Sequence, residues 1–308
     1  MRLFGKTNID FMSKRKTWYT ASTTVILIGM ASLFIKGVDY GIDFLGGTEL
    51  IAAFQDDVQI SDVRSAMDKA GFAKAEIKTF GSDKDILIRT IEQGEGNVIG
   101  DRIQTGLKNS FPQNPFSVIK EDKIGPKIGA ELRRDAVYAV IASLIAICLY
   151  VAFRFKFIYG IGAVVALFHD VLVTLGLVSI FDGLAPQLNL EISQNMIAAF
   201  LTLVGLSVND TVVIFDRIRE NQKIFRSMGL IELINKSLNE TLSRTIITSG
   251  TIFIVLVVLL VFGGEVNRGF SFALVVGIVT GTYSSIYIAS AIVVEWSERA
   301  RRKAQLID

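Results

Sequence analysis

Cysteine and histidine are almost absent from this sequence. Its 308 residues include one cysteine, Cys148, and one histidine, His169, and a single cysteine excludes a disulfide framework within the chain. No G-x-x-x-x-G-K-[ST] stretch for binding ATP phosphates occurs either. Because the sequence offers no nucleophile pair and no set of metal ligands, we expect no catalytic site, no metal and no cofactor. Energy for mechanical work would then come from a gradient or from a partner.

Long apolar runs are what the sequence has instead. Hydrophobic residues make up 51% of it, and its mean hydropathy is +0.47. They are gathered into runs of about 20 residues, the length that crosses a bilayer. Six runs predict six membrane-spanning helices, at 18–35, 136–153, 157–181, 196–215, 246–262 and 270–294. The polar block between the first two, 36–135, is large enough for one small water-soluble domain.

The placement of basic residues predicts the orientation of these spans. Lysine and arginine are frequent in 1–17, in 216–245 and in 295–308, whereas 182–195 contains neither. By the positive-inside rule, both termini and the 216–245 segment are cytoplasmic, and the polar domain lies outside the cytoplasm. The first run is long for a signal peptide and lacks a clear cleavage site, so we expect an uncleaved anchor.

The cytoplasmic segment 216–245 has a helical pattern of its own. Leu230, Ile234, Leu238 and Leu242 recur every four residues, with polar residues between them. This spacing predicts an amphipathic helix on the membrane surface, which would tie the fourth span to the fifth.

The polar domain alternates between strand and helix patterns. Candidate elements follow one another in the order β-α-β-β-α-β, at 48–54, 61–71, 73–80, 85–91, 96–111 and 116–124. This order predicts a ferredoxin-like α+β domain between the first and second spans of an α-helical polytopic membrane protein. The block contains no histidine, no cysteine and no Gly-rich phosphate loop, so a binding or mechanical role is favoured over chemistry.

Three ionisable residues interrupt the apolar runs: His169 and Asp170 in the third, and Asp210 in the fourth. An aspartate at the centre of a membrane helix costs about 2.5 to 3.5 kcal/mol on insertion scales, and such residues usually mark an ion or proton path. We therefore predict that Asp210, with Asn209 beside it, lies on a proton path, with His169 and Asp170 as further members. The alternative is a hydrogen bond between helices that only holds the bundle together.

Arg244 is the predicted counter-ion of Asp210. It lies just before the fifth span, and Asp210 lies about 8 Å inside the same end of the fourth, at 1.5 Å per residue. A long arginine side chain can reach inward, keep the carboxylate ionised, and release it by moving away. The alternative is an ordinary basic anchor at the cytoplasmic end of the span.

Two groups of glycines suggest close backbone contacts. Gly277 and Gly281 are four residues apart in the sixth span, a spacing that lets helices pack closely. The hydroxyls of Ser284 and Ser285 follow them and can line a proton or water path, although close packing is the commoner explanation. The stretch GIDFLGG at 41–47 precedes the first candidate strand, and its glycines suggest a close contact or a hinge at the root of the domain.

One anchor span, a large external domain and five further spans resemble half of a resistance-nodulation-division transporter. Four stretches narrow this resemblance: YGIDFLGGTEL (40–50), IGPKIGAEL (124–132), ALFHD (166–170) and SVNDTVVIFDRIREN (207–221). Together they are similar to the SecD/SecF family of bacterial protein-export membrane proteins, and to its SecF members in particular, over nearly the whole chain.

The resemblance implies a subunit of the bacterial cytoplasmic membrane that pairs with SecD and joins the SecYEG channel and the SecA motor. It implies use of the proton-motive force to promote export of a preprotein, with the external domain moving during the cycle. It also implies proton-path roles for Asp210 and Arg244. Membrane lipid is the other expected partner, and the formal net charge of +2 gives no sign of nucleic-acid binding.

Two other functions stay open at this point. A small-molecule exporter would share the membrane half, although a domain of about 100 residues is small for a porter that collects substrate. A scaffold that stabilises the channel would need no titratable residue in the membrane. The sequence does not decide between protons and sodium ions.

Overall fold

A computed structural model of the chain describes residues 7–92, 94, 96–155, 157–184 and 190–305. In chain order the elements are α1 (Arg15–Lys36), α2 (Ile42–Leu45), β1 (Gly47–Phe54), α3 (Ile60–Lys69), β2 (Glu76–Thr79), β3 (Asp85–Thr90), α4 (Val98–Ser110), β4 (Phe116–Ile124), α5 (Pro126–Arg154), α6 (Phe157–Phe181), α7 (Gln194–Ile224), α8 (Leu230–Phe262), α9 (Glu265–Ser284) and α10 (Ser290–Gln305). A 3-10 turn at Met12–Lys14 precedes α1, and a π-helical turn at Ser285–Ala289 joins α9 to α10.

Six helices in the described part of the chain are long and apolar enough to cross a membrane. They are α1, α5, α6, α7, α8 and the joined helix made by α9, the π-helical turn and α10. Each contains one of the predicted apolar runs, so the prediction of six spans is confirmed by length and composition. Most of the helices extend past those runs, because a helix continues into polar sequence where no proline or glycine interrupts it.

The segment between the fourth and fifth spans differs from its prediction. α8 begins at Leu230 and runs unbroken to Phe262, so the predicted amphipathic helix is not a separate surface element but the first part of the fifth long helix. No proline or glycine lies in 230–249 to end it. Its apolar residues Ile234 and Leu238 pack into the core of the bundle.

Close contacts between helices occur at glycines. A Cβ atom on Gly29 of α1 would lie 2.4 Å from the Cα atom of Gly176 in α6, so a larger residue there would push the two helices apart. A Cβ atom on Gly277 of α9 would lie 2.5 Å from a leucine side chain of α7, and one on Gly281 would lie 3.0 Å from Ser207. The close packing predicted for Gly277 and Gly281 is confirmed.

The polar block folds into a four-stranded antiparallel sheet with α3 and α4 on one face. The strand order is β2-β3-β1-β4, and the element order β-α-β-β-α-β is the predicted one. Alternate residues of each strand point toward the two helices and build a core that includes Leu50, Ile77, Ile88, Val63 and Ile103. The ferredoxin-like assignment itself stays a prediction. We call this end of the bundle the domain end, and the opposite end, where Arg15 and Glu295 lie 4.0 Å apart, the terminal end.

Gly47 begins β1 where the chain enters the domain. Its φ is +138°, and a Cβ atom there would lie 2.4 Å from the carbonyl oxygen of Thr90 on β3. We expect Gly47→Ala to weaken this end of the sheet by about 1 to 3 kcal/mol, because both the backbone conformation and the clash disfavour a side chain. Faster amide hydrogen exchange around Thr90 would measure the loss.

Gly229→Ala is the matched control for this substitution. Gly229 has an ordinary φ of −62° and open space around its Cα atom, so the alanine should leave exchange in the sheet unchanged. Equal exchange around Thr90 in the two variants would contradict the prediction.

Candidate functional site between the helices

Asp170 lies in the middle of the bundle on α6, with 1% of its surface exposed. One carboxylate oxygen lies 2.9 Å from Nδ1 of His169. The other accepts hydrogen bonds from the hydroxyl of Ser207 on α7, at 2.5 Å, and from that of Ser284 on α9, at 2.9 Å. Three donors on three helices therefore surround one carboxylate and offset the cost of its burial.

His169 connects this carboxylate to the first span. Its Nε2 atom lies 3.3 Å from the hydroxyl of Tyr283 on α9, which accepts a hydrogen bond of 3.3 Å from Ser22 on α1. Because the Tyr283 hydroxyl accepts from Ser22, it can donate to Nε2, and this order of donors assigns the proton of His169 to Nδ1, facing Asp170. Trp18 stacks on Tyr283 with ring centroids 5.1 Å apart. A chain of hydrogen bonds thus runs from α1 to the centre of the bundle.

Asp210 lies on α7 and is also buried, with 6% of its surface exposed. The described residues give it one hydrogen bond, of 2.9 Å, from the hydroxyl of Ser249 on α8. One neutral donor offsets much less of the cost of burying a carboxylate than three donors do. Asp210 is therefore the less fully hydrogen-bonded of the two buried aspartates.

The two aspartates are linked along one face of α7. Ser207, Asp210 and Thr211 are three and four residues apart, a spacing that puts them on the same side of a helix, and all three are buried. Ser207 donates to Asp170, and the hydroxyl of Thr211 lies 2.8 Å from that of Ser285. Ser285 is the first residue of the π-helical turn, and such turns within helices are frequent at functional sites.

Among the described residues, neither Asn209 nor Arg244 forms a hydrogen bond or an ion pair with Asp210, although Arg244 is close enough for its charge to act on that carboxylate. Asn209 is adjacent to it in sequence but lies on the exposed face of α7, and Arg244 is exposed on α8. The described hydrogen bond of Asp210 is with Ser249, five residues after Arg244 on the same helix. In this conformation the direct contact of the carboxylate with α8 is a hydroxyl, and Arg244 acts on it only through its charge.

A row of hydroxyls on α8 was not predicted from the sequence. Ser237, Thr241, Thr245 and Ser249 are each four residues apart, and all are buried. Ser249 contacts Asp210, and at the other end Ser237 accepts a hydrogen bond of 2.9 Å from an asparagine of α7. The hydroxyl of Thr245 has no hydrogen-bond partner among the described residues. The row leads from Asp210 toward the terminal end. Its four-residue spacing can be read from the sequence, but the apolar residues Leu230, Ile234, Leu238 and Leu242 have the same spacing and are the stronger sign of a helix face.

The arrangement can hold and pass protons. Two carboxylates, an imidazole, a phenol and several hydroxyls lie within hydrogen-bonding distance of their neighbours, and this is the composition of a proton relay in a membrane protein. Of the side chains that the structure describes, no three histidine, cysteine, aspartate or glutamate residues are grouped so that they could hold a metal ion.

Two protein-family models match the chain. Residues 103–299 match the family described as protein export membrane protein SecD/SecF, C-terminal. Residues 31–58 match the SecD/SecF GG motif. The first match includes all the buried polar residues of α6 and α7, and the second includes the root of the external domain.

Curated relatives are similar to the chain over nearly their whole length. The protein translocase subunit SecF of Rhodothermus marinus is 46% identical over 306 residues, which cover 99% of each chain. The protein of the same name from Thermodesulfovibrio yellowstonii is 43% identical over 298 residues, covering 95% of this chain and 96% of that one.

Two solved structures have a similar fold. The crystal structure of SecDF, a translocon-associated membrane protein from Thermus thermophilus, matches with a TM-score of 0.84 and 38% identity, covering 95% of this chain and 39% of that one. A crystal structure of SecDF in a super-membrane-facing form matches with a TM-score of 0.72 and 36% identity, covering 100% of this chain and 41% of that one. The chain therefore spans less than half the length of each solved SecDF chain.

Proposed function

Because the chain belongs to the SecD/SecF family of protein-export membrane proteins, we propose that it uses the proton-motive force to promote protein export. It is a multi-pass protein of the inner membrane, with six helices of sufficient length and hydropathy. Asp210 is the proposed proton carrier, and the external domain moves as this residue gains and loses its proton.

The burial of Asp210 with a single hydrogen bond among the described residues is the observation that carries this proposal. A buried carboxylate with one neutral donor is stabilised either by a proton or by a nearby cation. Arg244 is that cation, because it lies on the same helix as Ser249 and its long side chain can reach inward when α8 shifts. Asp210 would be neutralised by a proton in one state and paired with Arg244 in the other. Alternation between these two states would couple proton passage to movement of α8.

Asp170 and the hydroxyl row define the proposed route on either side of Asp210. Asp170 and His169 lie toward the domain end, since Ser207, which contacts Asp170, precedes Asp210 by one turn on a helix that starts at that end. The hydroxyls that precede Ser249 on α8 lie toward the terminal end. With both termini in the cytoplasm, as the basic residues predict, protons would pass inward along this route.

A partner protein supplies the remaining membrane helices and external domain of the proposed complex. The chain corresponds to 39% of a solved SecDF chain, and few residues in the most apolar stretches of α1, α5 and α8 are buried. SecD is the proposed partner on part of this surface, facing the exposed Asn209. We propose the SecYEG channel, the SecA motor and the preprotein as further partners, and this part of the proposal rests on the family resemblance.

Export of a preprotein by vesicles that contain this chain with SecD, SecYEG and SecA tests the proposal. We expect an imposed proton gradient to raise the export rate and a protonophore to remove the increase, because a charge gains about 2.3 kcal/mol per 100 mV of membrane potential. A sodium gradient of equal size is the control and should have no effect. A response to sodium alone would contradict proton coupling, and drug efflux without any change in export would favour an exporter.

A further inference from the structure

Arg89 is a cation buried beneath the sheet of the external domain. It lies on β3, on the face opposite α3 and α4, and 3% of its side chain is exposed. Its guanidinium contacts three carboxylates: Glu49 at 2.9 Å, Glu76 at 3.1 Å and Glu191 at 2.6 Å. A charge buried this completely is costly unless it is paired and hydrogen-bonded, so these contacts are what allow Arg89 to lie there.

Two of the three carboxylates belong to the same sheet. Glu49 on β1 and Glu76 on β2 are the residues directly opposite Arg89 in its two neighbouring strands, and opposite charges in such positions attract. Lys120 of β4 pairs with Ile51, two residues after Glu49 on β1, so it lies on the same face of the sheet, where its Nζ atom lies 3.3 Å from Glu49. These pairs hold the sheet together without the membrane helices.

The third carboxylate comes from the helix bundle. Glu191 lies in the segment that leads into α7 and is 17% exposed. Burial raises the pKa of Glu191 above its usual value; Arg89 opposes this shift, while Glu49 and Asp39 add to it. Burial alone would lower the pKa of Arg89, but Glu191 and Glu49 more than offset this and raise it. The charge of Arg89 offsets part of the cost of burying Glu191, so removal of either side chain should weaken the tie.

Backbone hydrogen bonds join the same two parts of the molecule. The N–H of Ile192 donates to the carbonyl of Asp39 at 2.8 Å, and the N–H of Gly41 donates to the carbonyl of Ile192 at 3.1 Å. The carboxylate of Asp43 accepts from the N–H of Gln194, the first residue of α7, at 2.8 Å. The root of the domain and the start of α7 are thus connected by paired backbone groups, a helix cap and an ion pair.

The helix that starts at this connection also carries the proposed proton site. Asp210 lies 16 residues after Gln194 on one continuous helix, about 24 Å away at 1.5 Å per residue. A regular helix behaves as a rigid element. A shift or tilt of α7 at Asp210 would therefore reach the segment that is bound to the domain.

We propose that Arg89 and Glu191, with the backbone pairing of 39–41 to Ile192, form a rigid joint that passes movement of α7 to the external domain. The joint stays closed through the cycle, and its residues are positioning residues, not proton carriers. This inference rests on the proposed function, because it needs movement that begins at Asp210.

Glu191→Gln is the variant that weakens the joint while keeping the size of the side chain. In vesicles with SecD, SecYEG and SecA, we expect gradient-dependent export to fall about five-fold or more, the lower end of ordinary coupling between two sites. Glu49→Gln is the matched control, because it removes a carboxylate from Arg89 within the sheet and leaves the tie to the bundle intact. It should lower export less than Glu191→Gln does.

A disulfide across the joint tests whether Glu191 acts by holding the domain to α7 or in some other way. A Cβ atom on Gly41 would lie 3.4 Å from the Cβ atom of Ser193, close to the separation of about 3.5 to 4.5 Å found in disulfides. Both cysteines, Gly41→Cys and Ser193→Cys, are introduced into a chain that carries Cys148→Ala. With the disulfide oxidised, this chain should support export, and adding Glu191→Gln to it should no longer lower export. Reduction should remove the restoration. Ser193→Cys alone controls for the loss of the serine hydroxyl that caps α7.

Three results would overturn the joint: full gradient-dependent export by Glu191→Gln, no restoration by the closed disulfide, or loss of export when the disulfide closes in an otherwise unchanged chain. Asp210→Asn with the closed disulfide should stay inactive, because a disulfide does not replace a proton site.

Hydrogen exchange tests the joint without any export. Glu191→Gln should speed exchange of the backbone amides of Gly41 and Ile192, which donate across the joint, and the closed disulfide should slow it again. Unchanged exchange in Glu191→Gln would overturn the inference. If export by the unmodified chain did not depend on the proton gradient, the proposed function would be wrong. The hydrogen-exchange measurement would still decide whether the joint exists.

Discussion

Asp210→Asn should lower gradient-dependent export to the rate measured with the gradient collapsed. Asparagine has nearly the same size and can still accept the hydrogen bond from Ser249, but it cannot take up a proton. The membrane potential then no longer acts on a charge at this site, and a bias of about 2.3 kcal/mol per 100 mV, roughly 50-fold in a population, is lost. Export rates with and without a protonophore measure the effect.

Asp216→Asn is the matched control on the same helix. Asp216 forms a partly exposed ion pair with Arg154 at 2.9 Å, a kind of contact worth about 0 to 1 kcal/mol, so export should keep its gradient dependence. Asp210→Glu should recover part of the response because it restores a titratable group. A normal gradient response in Asp210→Asn, assembled with SecD, would exclude Asp210 as the proton carrier and favour a scaffold.

Arg89→Ala should destabilise the external domain by about 3 to 5 kcal/mol, the usual cost of removing one partner from a buried ion pair. Without the guanidinium, three carboxylates face one another, and Lys78 and Lys120 lie near two of them. Hydrogen exchange of the β1 and β3 amides in the intact chain measures the free energy of opening. Arg64→Ala, at an exposed position of α3, is the control and should change it by less than about 0.5 kcal/mol.

The effect of Arg89→Ala should depend on pH through Glu76. Burial alone would raise the pKa of Glu76, but the hydrogen bond from Lys78 and the charge of Arg89 outweigh it and hold that pKa below its usual value. A depressed pKa stabilises the folded domain above the unfolded value of about 4.3, and this contribution is lost as the pH falls through the folded value. The stability gap between the two proteins should therefore narrow in acid, and a constant gap would contradict this account.

Most of the helical framework could be predicted because it depends on local sequence. An apolar run of bilayer length forms a helix whatever its neighbours are, and strand and helix patterns gave the element order of the external domain. The continuous α8 could not be predicted in the same way. Its first part, 230–245, has polar residues on one face, which are typical of a surface helix, yet its apolar face packs against the neighbouring helices.

The buried aspartates of the candidate site could be predicted from the sequence, but the side chains that contact them could not. Asp170 and Asp210 stand out because a carboxylate in an apolar run is costly wherever it points. Their donors do not stand out, since a serine such as Ser207 or Ser249 costs little in a membrane helix and is common there. Only the packing of α6, α7, α8 and α9 decides which serine meets which aspartate.

The sequence by itself determined the six spans, the domain between the first two, the family and the presence of charges inside the membrane. The spans, the domain and the charges follow from the transfer free energy or the pattern of single segments, and the family follows from four short stretches taken in order. Among the described residues, the tertiary structure decided that Asp170 has three hydrogen-bonding neighbours and Asp210 one, that Arg244 forms no ion pair with Asp210, and that Arg89 contacts Glu191. Arg89 and Glu191 are 102 residues apart, and a contact between distant segments depends on how both are packed, which neither segment encodes alone.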